Sequence, residues 1–359
     1  MLRWTWIGLV VLALVPRAEA APGLLLGVDD DSLKWYPQTS SLLAIYSQLG
    51  VGAVRVTVDW SPGESSPSGT DLAELQRVAT AGRRVRVRVI LAVGGPASSP
   101  PLDAASRTAY CSYAVGIVQR YPWIHDVAIW TEPNSSTFWR PQKGATAAYE
   151  ALLATCWDAL HGAVAGAKVI ATSAPHARAG DWYRALGEAY RASGRTQPIF
   201  DTVGHNGYPN NSAEPPTAMH ARGSIDEGDL GRLLAAIRTG FDGTGQPLPG
   251  DAGVSVWYLE DGFQSQPPVF SAELYSGGET DRHVVDEQRQ AAQLTAAVDL
   301  AYCRPAVGGF FNFELRDEPS LSGWQSGLVR PDWSGKPAFF AYQAAIAAAR
   351  AGTIDCGGR

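Results

Sequence analysis

Charge of either sign is sparse in this chain. Only 18% of its 359 residues are charged, the formal net charge is −6, and no block of basic residues occurs. Nucleic acid and anionic membrane surfaces are therefore poor partners. Histidine is scarce too: apart from His205, the residues His125, His161, His176, His220 and His283 form no HxH or HExxH cluster, which argues against metal-dependent hydrolysis. No GxSxG elbow is present, as an α/β-hydrolase esterase would need. No glycine-rich phosphate loop follows the first apolar strand pattern, which counts against a doubly wound dinucleotide-binding sheet. The four cysteines contain no CxxC pair of the metal-binding kind. One apolar stretch stands out, Trp4–Val15, and it falls short of the roughly 20 residues that span a bilayer.

That stretch follows Arg3 and precedes Ala18-Glu19-Ala20, the layout of an export leader cleaved after Ala20. The expected division is a leader over 1–20 and one domain over 21–359, secreted and without membrane attachment after cleavage. In an exported chain an even number of cysteines predicts two disulfides. Three connectivities exist for Cys111, Cys156, Cys303 and Cys356. Cys111–Cys156 with Cys303–Cys356 is preferred, since the first pair falls on consecutive predicted helices and the second pins the C-terminal tail.

Short apolar or β-branched runs alternate with longer amphipathic ones along the whole mature chain. Strands are expected over Leu24–Asp29, Ala53–Asp59, Val85–Val93, Asp126–Thr131, Lys168–Ser173, Phe200–His205, Gly253–Glu260 and Val307–Glu314. Helices are expected over Ser40–Leu49, Thr70–Ala81, Asp103–Arg120, Ala145–Ala165, Asp181–Ser193, Asp229–Thr239, Asp286–Tyr302 and Ala338–Ala351. Eight strand-then-helix units predict an α/β fold of one type, a single (β/α)8 barrel. Its longer Gly- and Pro-rich segments follow strands, where a barrel carries its catalytic loops.

Two glutamates sit at predicted strand ends in aromatic surroundings: Glu132 in Trp130-Thr131-Glu132-Pro133-Asn134, and Glu260 in Trp257-Tyr258-Leu259-Glu260-Asp261-Gly262. Carboxylates delivered by different strands to one rim are what glycosidic bond cleavage requires. Desolvation and the charge of Glu260 would raise the pKa of Glu132, suiting it to donate a proton. Alternation along Ala53–Asp59 puts Arg55 inside the barrel, where it either stabilises an ionised Glu260 or forms a purely structural ion pair. His205 and Tyr208 close the sixth strand, within reach of a sugar or of Glu260. Glu314 on the eighth strand is the rival nucleophile. Trp60, Trp130, Trp139 and Trp324 are either sugar-stacking platforms or packing residues.

These segments resemble glycoside hydrolase clan A, the retaining (β/α)8 enzymes with the acid/base after strand four and the nucleophile after strand seven. Trp130-Thr131-Glu132-Pro133-Asn134 is similar to the clan's W-N-E-P-N signature, and Leu259-Glu260-Asp261-Gly262-Phe263 to its T-E-x-G-Y/F segment. Arg55, His205, Tyr208 and the closing Gly327-Leu328-Val329…Lys336-Pro337-Ala338 run extend the likeness, which is nearest in style to cellulase-like family 5 and to family 39. Thr131 departs from it, standing where the clan has the Asn that contacts the sugar 2-hydroxyl.

The resemblance implies a retaining glycosidase acting on a β-linked glycan or glycoside, with Glu132 as acid/base and Glu260 as nucleophile. Arg55, Trp60, Trp130, Thr131, Asn134, His205, Tyr208 and Trp324 are the expected substrate-binding residues. No cofactor and no metal are implied, and the protein is expected to act as a monomer on carbohydrate. The competing expectation is a carbohydrate-binding barrel that has lost turnover, with Thr131 as its mark.

Overall fold

Eight parallel strands close on themselves in sequence order, each hydrogen-bonded to the next and the last to the first. This barrel is seen in a computed structural model that describes residues 23–36, 39–251, 253–281 and 283–357. The predicted leader lies outside the described residues. The strands are β1 (Leu25–Asp29), β2 (Ala53–Asp59), β3 (Arg88–Gly94), β4 (Asp126–Ile129), β5 (Lys168–Ala171), β6 (Thr202–His205), β7 (Val256–Asp261) and β8 (Val307–Phe313). The helices are α1 (Ser32–Trp35), α2 (Thr39–Leu49), α3 (Gly69–Val85), α4 (Ala104–Arg120), α5 (Ala145–Ala163), α6 (Ala179–Ser193), α7 (Leu230–Phe241), α8 (Glu287–Tyr302) and α9 (Pro337–Ala351). Among the described residues no helix is long and apolar enough to cross a membrane.

Strand alternation divides the core into two layers. Val54, Val56 and Val58 face outward and join the large cluster under the helices. Ala53, Ile90, Ala92, Ala128, Ile170, Trp257, Leu259 and Phe311 fill the barrel itself. Each Leu, Ile or Phe side chain buried in this way contributes roughly 1.5–3 kcal/mol relative to exposure. The interior is tight enough to require glycine: a Cβ on Gly309 would lie 2.9 Å from the Trp257 ring.

Helix starts follow local chemistry. Ser68 and Asp71 form a reciprocal capping box at α3, Asp103 and Ser106 another at α4, and Pro337 opens α9. Several element ends differ from expectation, most clearly between α3 and β3. The alternating Val and Arg residues from Val85 read as strand, but α3 continues to Val85 and β3 begins only at Arg88. The helix is held there because Gly82 packs against Val89, where a Cβ would come within 2.8 Å of the valine methyl. Arg86, in the left-handed conformation at φ +57°, then ends it.

Both preferred disulfides form. Cys111–Cys156 joins α4 to α5, and Cys303–Cys356 ties the segment after α8 to the tail.

Candidate active site

The loops after the strands enclose a cavity of about 500 Å3 whose wall includes Glu132, Tyr208, Glu260, Gln264, Phe313 and Trp324. Both glutamates therefore face one space, and the barrel delivers them in different ways.

Glu132 follows β4 through a strained backbone. Trp130 has φ +62° and Glu132 φ +41°, conformations that cost side-chain-bearing residues on the order of 1–3 kcal/mol each. Simple alternation after Ala128 would turn Trp130 into the barrel, but it lies in the outer cluster instead. There its indole N–H donates to the Phe138 carbonyl at 2.8 Å, and its ring packs edge-on to Trp139. The anchored tryptophan thus fixes the turn that carries Glu132.

Glu260 reaches the cavity through an irregularity in β7. Tyr258 pairs with Phe310 and Asp261 with Asn312, so β7 holds one more residue than β8 between these pairs. This β-bulge re-aims the strand, so that consecutive residues Leu259 and Glu260 both face the barrel interior. Asp261 faces away and is fully buried.

The two carboxyls have contrasting environments. An Arg55 guanidinium nitrogen lies 2.9 Å from Oε1 of Glu260, and the Tyr208 hydroxyl donates to Oε2 at 3.2 Å. The same Arg55 nitrogen also holds Asp29 of β1. Among the described residues no cation forms an ion pair with Glu132; Asn206 donates to its Oε1 at 2.7 Å. Burial, followed by the charge of Glu260, pushes the Glu132 carboxyl up to about 7, against smaller lowering effects of Asn206 and Arg55. A carboxyl with that pKa can give and take a proton near neutrality, beside a second carboxylate held in place by a cation.

Several expected substrate contacts belong to the scaffold. His205 is buried on the helix side, with Nδ1 2.8 Å from the Ser173 hydroxyl and Nε2 2.7 Å from the Ile225 carbonyl. Burial pulls its pKa down to about 4, so it is neutral and structural. Trp60, Trp130 and Trp139 are buried packing residues rather than stacking platforms. Asn134 is also turned away from the cavity: its amide N–H donates to the Ala174 carbonyl at 2.9 Å and its Oδ1 accepts from the Ala174 N–H at 2.8 Å, stapling two loops. Thr131 is half-buried beside Gly94 and is not part of the cavity wall. Of the expected set, Arg55 and Tyr208 touch Glu260, and the partly exposed Trp324 packs against Tyr208 and Phe313 on the cavity wall.

Glu314 lines an adjoining cavity of about 340 Å3 with Asp29, Asp30 and Asp31. Burial, then the charge of Glu318, raises its pKa to about 9, so it is protonated at neutral pH and unsuited to nucleophilic attack.

Asn206 was not expected. The signal was nevertheless in the strand: Val203 and His205 face the helices, so alternation sends Gly204 and Asn206 inward.

No protein-family pattern matches the sequence, and no curated protein does either. Solved structures do share the architecture. A family 39 glycoside hydrolase from Bacteroides cellulosilyticus WH2 matches over 89% of this chain with TM-score 0.63 and 15% identity. A family 5, subfamily 18 enzyme from Streptomyces cattleya, in complex with Manb1-4GlcNAc, matches over 92% of this chain and 82% of its own, with TM-score 0.63 and 16% identity. The β-glucosidase of Thermotoga maritima in complex with glucoimidazole matches over 92% and 99% respectively, with TM-score 0.61 and 13% identity. The chain spans 63% of the length of the family 39 structure. With each of these structures the chain shares the fold, a closed eight-stranded parallel barrel.

Proposed function

We propose that the chain is a secreted retaining glycoside hydrolase cleaving β-linked O-glycosidic bonds, with residues 21–359 as its catalytic domain after removal of a leader over 1–20. One observation carries this reading: Glu132 and Glu260 face one cavity, the first desolvated with its pKa near 7 and the second held by Arg55 and Tyr208. Neighbouring folds with bound β-linked sugar or glucoimidazole favour a carbohydrate substrate.

In this mechanism Glu132 protonates the leaving oxygen while the Glu260 carboxylate attacks the anomeric carbon, forming a glycosyl-enzyme. With the leaving group gone, Glu132 is a carboxylate and takes a proton from water, which attacks the anomeric carbon and releases Glu260. Arg55 and Tyr208 hold the Glu260 oxygens in line, and Trp324 offers a flat apolar face to a sugar ring. The disulfides and the lack of a membrane-crossing helix among the described residues are compatible with export.

The test is a screen of aryl β-glycosides and polysaccharides with wild type and Glu260→Gln, followed by a fluorosugar inactivator. Turnover by wild type alone, with Glu260 labelled, is expected. Glycan binding without turnover or labelling would instead identify a non-catalytic carbohydrate-binding barrel.

A further inference from the structure

The loop between β6 and α7 passes from Asn206 and Tyr208, at the two glutamates, out to the rim and back. On the return it gathers Glu214, His220, Asp226 and Asp229, residues too far apart in sequence to form a recognisable motif. One ligand atom from each of Glu214, His220 and Asp226 lies within 4.8 Å of the other two. Bonds of roughly 2.0–2.2 Å to a single ion close such a spread with small side-chain adjustments.

The hydrogen-bond pattern leaves anionic oxygens without donors. Asn210 accepts from Ser224 through Oδ1 at 2.7 Å, which fixes its amide orientation. Its Nδ2 therefore donates to Glu214 Oε2 at 3.1 Å, and lies 3.0 Å from His220 Nε2. His220 Nδ1 lies 2.8 Å from Asp229 Oδ2, the nearest of the carboxylates around the ring. Glu214 Oε1 lies 3.0 Å from the other ring nitrogen, Nε2. Asp226 is in a worse position. It is 3% exposed, neither carboxyl oxygen has a hydrogen-bond partner among the described residues, and Oδ2 lies 3.2 Å from Nδ1, farther than the Asp229 oxygen does. A buried carboxylate without donors is costly. Among the described residues the arginine in contact with the cluster is Arg232, 3.3 Å from Asp229.

We propose that Glu214, His220 and Asp226 bind one divalent transition-metal ion of the zinc or manganese class, which fastens the β6–α7 loop. Imidazole favours such ions over calcium and magnesium, and the carboxylates supply the charge. The loop's cavity residues gain rigidity from it through Asn210, which touches both Glu214 and His220 and lines the cavity wall. The ion is structural, since its ligands stand apart from Glu132 and Glu260.

The test uses the full mature protein, stripped with EDTA and dialysed, then titrated calorimetrically with Zn2+, Mn2+ and Ca2+. One equivalent of Zn2+ or Mn2+ is expected to bind, at least tenfold more tightly than Ca2+, and to raise the melting temperature. Asp226→Asn and, separately, the more exposed Glu214→Gln are expected to weaken binding at least tenfold, with circular dichroism confirming that each variant is folded. Absence of saturable binding to wild type, unchanged binding in both variants, or a preference for Ca2+ would overturn the proposal. The first of these results would leave His220 as a protonated clamp among the acids.

Discussion

Asn206 donates an amide hydrogen to Oε1 of Glu132 across 2.7 Å, joining the end of β6 to the turn after β4. The bond favours the ionised carboxyl, whereas burial and the charge of Glu260 oppose it more strongly. The poise of Glu132 is therefore a balance with identifiable and separately removable contributions.

A general acid must be protonated to act, so kcat/KM should fall as pH rises through about 7, the value for Glu132. Asn206→Ala removes a lowering contribution and should move this alkaline limb to higher pH. A limb that stayed in place or moved down would break the link between Asn206 and the acid. The linked stability has the same sign. The folded pKa lies above the ordinary 4.5, so the contribution of Glu132 is full below 4.5 and is lost as pH rises through about 7.

Glu260→Gln removes the neighbouring charge and should lower the Glu132 pKa, although not to 4.5, because burial is the larger cause and remains. Carbon-13 NMR of the carboxyl during a pH titration reads this directly. An unchanged midpoint would mean that the two carboxyls do not sense each other.

Tyr208→Phe deletes the 3.2 Å hydrogen bond to Glu260 and leaves the ring packed on Trp324 and Phe313. A hydrogen bond to a charged group contributes about 1.5–3 kcal/mol, so kcat/KM should drop roughly 10- to 150-fold with the melting temperature little changed. A loss confined to stability would assign the tyrosine to packing alone.

The tryptophans divide by exposure. Trp324→Ala should raise KM more than it lowers kcat, since its 37% exposed ring forms part of the cavity wall. Trp139→Ala, at 0% exposure, should instead cost about 3–5 kcal/mol of stability in denaturant titrations. Exchange of these two outcomes would reverse the assignment.

Replacing Cys303 and Cys356 together by Ser should lower unfolding stability by about 2–4 kcal/mol, because it frees a closed loop of 53-residue separation. Kinetics measured well below the transition should be unaffected, as neither residue lines the cavity.

The architecture was legible because a parallel barrel repeats one pattern eight times, so a local error such as the late start of β3 leaves the strand count intact. Arg55 was legible for the same reason: regular alternation on β2 put it inside. The same alternation separates His205, facing the helices, from Asn206, facing Glu132, although a histidine at a strand end is the more conspicuous residue type. Trp130 and Glu260 could not be placed by periodicity at all. One turns through positive φ and the other follows a bulge, and both are backbone departures that residue types do not encode. Trp60 and Trp139 carry the same sequence signal as Trp324; only tertiary packing separates a wall from a filler.

The extra residue in β7 makes Glu260 and Asp261 neighbours in sequence but occupants of opposite sides of the barrel wall. One meets Arg55 and the cavity; the other, with burial raising its pKa to about 8, sits dry and neutral behind it. Function at this position therefore depends on a backbone count as much as on an amino-acid identity. Point substitution changes the side chain at one facing, whereas a deletion or insertion in β7 would change the facing of both positions at once. The bulge thus acts as a reading frame in space: it sets which of two adjacent acids meets Arg55 and which is enclosed behind the wall.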